Sequence, residues 1–97
     1  MIINFRDKGT EDIYNGISSK LARKILPTTL WTIAWKKFYF LDNAVTIEDL
    51  RVPPSNHLEK LQGDRAEQYS IRINRQYRIC FLWTEQGATQ VEIVDYH

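Results

Sequence analysis

The sequence predicts an α+β fold, with an N-terminal strand and helices packed on an antiparallel sheet. Three observations carry that expectation. Residues 27–41 hold the longest run of helical spacing. Residues 68–94 hold three strand-like runs. The breaks between those runs, Asn74-Arg75-Gln76 and Glu85-Gln86-Gly87, are too short for anything but hairpins. Helical segments first and a strand meander second is the pattern of an α+β chain.

Ninety-seven residues, 43% of them hydrophobic, suffice for a single domain, residues 1–97, with one modest core, and exclude a disordered chain. The apolar runs are too short to cross a bilayer, and the opening Met1-Ile2-Ile3-Asn4-Phe5-Arg6-Asp7 lacks the features of a signal peptide. One cysteine, Cys80, forms no internal disulfide, and no zinc spacing is present. The cytoplasm is the expected compartment. A formal net charge of +1 does not by itself point to nucleic acid, so any such contact must come from local clustering.

Each element has a local cause. Ile2–Phe5 is an apolar run that reads as a strand. Thr10 is placed to cap a short helix with Glu11 and Asp12 in its first turn and Gly16 at its end. Residues 18–25 are polar and basic and read as a helix or an exposed loop. From Pro27, the residues Leu30, Ile33, Ala34, Phe38 and Leu41 share one helical face. Trp31, Trp35 and Tyr39 form a second stripe beside it, and Lys36-Lys37 falls on the remaining side. The wide aromatic surface is either a thick core or a face covered by a partner. Thr46 with Glu48-Asp49 suggests a capped turn, and Val52-Pro53-Pro54 an extended loop. Leu58–Leu61 reads as a strand before a turn at Gly63-Asp64, and Gln68–Ile73, Tyr77–Trp83 and Gln90–Val94 as the meander.

Alternation fixes the hairpin register. The apolar sets Tyr69, Ile71, Ile73 and Ile79, Phe81, Trp83 share a face only if Ile71 lies opposite Ile79. Arg72 then lies opposite Arg78 on the other face. Like charges in that position are unfavourable. Each arginine either finds a carboxylate or solvent, or the pair holds an anion such as phosphate. Lys60, Arg65 and Arg75 add positive charge around the meander. Cys80 lies in an apolar strand and reads as an inert core thiol.

The sequence also holds candidates for metal-free RNA cleavage, which requires a base, an acid, cations at the phosphate and in-line positioning. An imidazole such as His97 can act as acid or base near neutral pH, Asp95 can be a base or an orienting group, and Tyr96 can stack on a base or bond phosphate. Glu59 is a second base, and Arg72 and Arg78 are phosphate holders. The plain alternative is a polar tail, a Tyr96 packed on the sheet edge and a solvated His57.

The segment from Pro53-Pro54-Ser55-Asn56-His57-Leu58-Glu59-Lys60-Leu61-Gln62-Gly63-Asp64-Arg65 runs into Tyr69-Ser70-Ile71-Arg72-Ile73-Asn74. Tyr77-Arg78-Ile79-Cys80-Phe81 and Val91-Glu92-Ile93-Val94-Asp95-Tyr96-His97 follow. Together with Phe5-Arg6-Asp7-Lys8-Gly9, these motifs resemble the HigB toxins of the RelE/ParE superfamily. The resemblance implies a curved sheet, an mRNA endoribonuclease (interferase) acting on the ribosome without a cofactor, and a HigA-type antitoxin. It also implies operator DNA bound through the toxin–antitoxin complex. Under the resemblance Asp95, Tyr96, His97 and Arg78 map onto active-site positions; the reading of the residues adds Arg72, Lys60, His57, Arg65 and Gln62 as candidate substrate contacts. Some relatives carry a histidine and a lysine before the Gly-Asp-Arg turn, where this chain has Glu59 and Gln62. Either Glu59 is the base, or a bulge brings His57 and Lys60 into place, and Gln62 forgoes a phosphate contact. A partner antitoxin over Trp31 and Trp35 is a further expectation. Two other readings fit the same fold: a ParE-like toxin that inhibits DNA gyrase, and a non-toxic member acting only within a repressor complex.

Overall fold

A computed structural model describes residues 1–96. The expectation for His97 lies outside the described residues. Three α-helices, α1 (Lys8–Tyr14), α2 (Lys20–Ile25) and α3 (Trp31–Asn43), precede a four-stranded sheet. Its strands are β1 (Glu59–Lys60), β2 (Tyr69–Arg72), β3 (Tyr77–Thr84) and β4 (Gly87–Asp95), antiparallel and in sequential order. The α+β expectation is borne out.

The N-terminal segment pairs less regularly than a strand. Ile2 and Phe5 make isolated parallel bridges to Ala88 and Val91 of β4. The ladder breaks between them because Gln90 adopts a positive φ of 50° and β4 bulges opposite Phe81. Asn4 covers the break, its Oδ1 accepting the Gln90 N–H at 2.7 Å.

The helix caps differ in part from the expected ones. Asp7, rather than Thr10, caps α1, and its Oδ1 accepts the Thr10 N–H at 2.7 Å. Thr10 is fully buried one turn further in, where its hydroxyl accepts the Ile93 N–H and ties α1 to β4. Gly16 closes α1 with φ 74°, a conformation that favours glycine. Ser19 caps α2 through the Ala22 N–H at 3.0 Å, so residues 20–25 are helical. A 3₁₀ turn at Thr28–Leu30 leads into α3, and the expected capped turn at Thr46 is closed by a capping box between Thr46 and Asp49.

Three expectations for α3 are corrected. Its inward face is Trp31, Ala34, Lys37, Phe38 and Leu41, while Ile33 is 40% exposed. Trp31 belongs to the core, its indole N–H donating to the Leu26 carbonyl at 2.9 Å, so it does not offer a partner surface. Trp35 and Tyr39 do remain exposed. Lys37, expected on the solvent side, is buried instead because Asn56 from a distant turn supplies an acceptor, Oδ1 at 2.8 Å from Nζ.

The hairpin register matches the alternation argument. Ile71 pairs with Ile79, Tyr69 with Phe81 and Arg72 with Arg78. Asn74 Oδ1 holds the connecting turn by accepting the N–H groups of Gln76 and Tyr77 at 2.9 and 2.8 Å. The core lies between the helices and one sheet face, where Ile71, Ile79, Phe81 and Val91 meet Ile13, Phe38 and Leu41. The other face is left to polar residues, and the site forms there.

Candidate active site

Alternation along β2, β3 and β4 sends Ser70, Arg78, Cys80, Glu92 and Tyr96 to the face away from the helices. Arg78 is its centre. The residue is 8% exposed, so its guanidinium must be satisfied by protein. Nε donates to Ser70 Oγ at 2.7 Å, and Nη2 donates to the carbonyl of His57. Nη1 lies 3.9 Å from Glu59 Oε1. His57 presents that carbonyl from a left-handed conformation, φ 44°. Arg78 is thus a fixed cation with one exposed carboxylate beside it.

The β1 register separates the neighbouring candidates. Glu59 lies opposite Ser70 and so joins Arg78, whereas Lys60 lies opposite Tyr69 with Nζ 5.8 Å from that ring. Lys60 is not part of the Arg78 cluster. Gln62 is exposed at the start of the Gly63–Arg65 turn and its carbonyl accepts the Arg65 N–H at 3.4 Å. His57 reaches Arg78 through its backbone, and it also lines a separate cleft with Arg72.

Arg65 joins the outer face through Glu92. Its Nη1 lies 2.7 Å from Glu92 Oε1 and 2.8 Å from Gln68 Oε1. The Glu92 contact holds the Arg65 guanidinium's pKa above its ordinary value. Glu92 is also 4.0 Å from Arg6. Cys80 is fully buried, and burial pushes its thiol pKa up. That agrees with an inert thiol.

The C-terminal residues diverge. The Tyr96 hydroxyl lies 3.9 Å from Cys80 Sγ, and its N–H is anchored on the Gln76 carbonyl at 2.6 Å. Burial raises the Tyr96 pKa, with Cys80 acting in the same direction and Arg65 and Arg78 opposing it. The phenol is therefore a neutral donor at physiological pH. Asp95 pairs with Tyr77, one residue out of phase with Tyr96, and accepts a hydrogen bond from Gln76 Nε2 at 3.1 Å. Asp95 and Tyr96 therefore start from opposite faces of β4.

The assembled face combines a buried guanidinium, a second guanidinium held by Glu92, a solvent-accessible carboxylate and a phenol. Such a set can bind a phosphate, transfer a proton and donate a hydrogen bond to a reacting oxygen. Among the described residues, no group of three or more His, Cys, Asp or Glu is placed to hold a metal ion. Sequence reasoning missed Ser70 and Glu92. Their signal was present: both share side-chain parity with Cys80 in adjacent strands, so both had to face Arg78's side of the sheet.

Comparison with known proteins agrees with this architecture. Residues 3–97 match a family described as the RelE-like toxin of type II toxin–antitoxin system HigB. Toxin HigB-1 of Vibrio cholerae serotype O1 is 34% identical over 88 residues, covering 91% of this chain and 90% of the relative. An uncharacterized protein of Haemophilus influenzae is 39% identical over 56 residues, 58% of this chain and 55% of its own length. The chain belongs to the HigB-like, RelE-like toxins of type II toxin–antitoxin systems.

Proposed function

We propose that this toxin is a ribosome-dependent endoribonuclease that stops translation by cutting mRNA in the cytoplasm. The single observation that carries this reading is the fixed Arg78 guanidinium, seated by Ser70 and the His57 carbonyl next to an exposed Glu59. A pre-positioned cation stabilises the charge that gathers on a phosphorane without reorganising in the reaction. Glu59 takes the 2′-hydroxyl proton, as general base. Tyr96 donates a hydrogen bond to a phosphate oxygen, and Arg65 adds positive potential. His97 protonates the departing 5′-oxygen. Asp95, on the opposite parity, acts by positioning the end of the chain rather than by touching phosphate. The partners in this reading are a HigA-type antitoxin, the ribosome with its mRNA, and operator DNA reached through the antitoxin complex.

A second reading, a member that represses its operon without cutting RNA, draws on Gln62 in place of a lysine and on the divergence of Asp95 from Tyr96. One experiment separates the two. Brief induction followed by mapping of mRNA 5′ ends shows new ends inside translated frames if the chain cleaves. Glu59→Gln, an exposed change, lowers their yield by about 10²-fold while leaving the fold intact. Arg78→Lys removes the planar fork and lowers it at least as far. Intact mRNA during growth arrest would exclude the nuclease and leave gyrase inhibition or a titrated antitoxin to be measured directly.

A further inference from the structure

Arg72 and Arg78 face each other in register but serve different places. Arg78 is buried among its acceptors. Arg72 is half-buried and lines a cleft of about 350 Å³ with Lys36, Lys37, Ser55 and His57. The cleft lies at the open edge of β2, past the end of β1, between α3 and the Pro54–Asn56 turn. Ile33 and Ile73 complete its wall.

Every ionisable residue lining this cleft is basic. Lys36, Lys37 and Arg72 make no ion pair with a carboxylate of the described residues. Lys37 is 6% exposed, and its hydrogen-bond acceptor is the neutral Asn56 amide. Burial lowers its pKa, and the neighbouring Lys36 lowers it further. Concentrated positive charge beside two isoleucines raises the free energy of the empty cleft, and an anion relieves it.

We propose that this cleft is a second phosphate seat, distinct from the Arg78 site, that holds a backbone phosphate of single-stranded RNA. A guanidinium fork, an exposed ammonium and the Ser55 hydroxyl suit the oxygens of a phosphodiester. Ile33 and Ile73 give an apolar wall for the adjoining sugar and base. His57 belongs to both places, lining the cleft and seating Arg78 with its carbonyl, so one RNA strand passes from one seat to the other. The choice of RNA rests on the proposed function, but the test reads binding and not cleavage.

The purified chain is titrated with a fluorescent single-stranded RNA carrying 2′-O-methyl riboses, over a series of salt concentrations. Lys36→Gln and Arg72→Gln each weaken binding by about fivefold. Together they reduce the slope of log affinity against log salt by about 0.7, the loss of one phosphate contact. Lys36 is exposed, so Lys36→Gln keeps the native thermal midpoint and the test survives any instability of the Arg72 variant. Unchanged RNA affinity and slope in both variants overturn the proposal. So does a loss confined to an oligo-glutamate peptide, which would make the cleft a seat for an acidic protein segment. Cleavage without altered binding sinks only the cleft; altered binding without cleavage sinks only the nuclease.

Discussion

The two faces of the sheet are both dry at their centres, yet they are dry for different reasons. On the helix side, Ile71, Ile79 and Phe81 are fully buried by hydrocarbon. On the open side, Ser70 and Cys80 are also fully buried and Arg78 is 8% exposed. Neighbouring side chains and the His57 loop do the covering there. The helix side gains from removing apolar surface from water. The open side gains little net free energy, because desolvating a guanidinium cancels most of what its hydrogen bonds return. What the open side obtains is a cation that cannot move. One face therefore carries stability and the other carries a site.

Three measurements break or sharpen that contrast. Phe81→Ala has the largest effect, about 3–5 kcal/mol of unfolding free energy in a denaturant titration. It empties the middle of the apolar face, where Phe81 stacks with Tyr69 at 6.4 Å. Ser70→Ala comes next, about 1–3 kcal/mol, since it leaves the Arg78 Nε–H without its acceptor at 2.7 Å. A loss below about 0.5 kcal/mol, as for an ordinary surface change, would mean that water has replaced the hydroxyl and that the open face is not dry.

The smallest effect concerns pH. The folded Cys80 thiol titrates above its ordinary value of 9.0. Below the ordinary value both folded and unfolded thiols are protonated, so its contribution to stability is fully present. As pH rises past 9.0 the unfolded thiol ionises first, and stability falls until the folded thiol ionises too. Cys80→Ala removes that slope, which is at most about 1.4 kcal/mol per pH unit. Equal slopes in the two proteins between pH 9 and 10 would show that Cys80 is hydrated. Tyr96 contributes in the same direction at higher pH, its folded value also being raised.

Legibility from sequence followed the range of the cause. The Arg72–Arg78 pairing was readable because alternation and a three-residue turn leave one register that keeps Ile71 opposite Ile79. The placement of Glu59 beside Arg78 was not. It depends on β1 meeting β2 at Ser70, two residues from an irregular loop whose path no local pattern sets. Trp31 was misjudged because an aromatic stripe beside an apolar stripe reads alike whether the chain's own Leu26 region or a partner covers it.

The sequence by itself determined the α+β class, the hairpins, the capped turn at Thr46, and which residues of β2 and β3 share a face. These follow from period and turn chemistry, which act over a few residues. Only the tertiary structure decided that Lys37 is buried against Asn56, that Arg78 is held by the His57 carbonyl, and that Asp95 and Tyr96 part to opposite faces. Those outcomes depend on groups distant along the chain meeting in space. There, desolvation makes a charged or polar side chain take whatever acceptor the fold brings within reach.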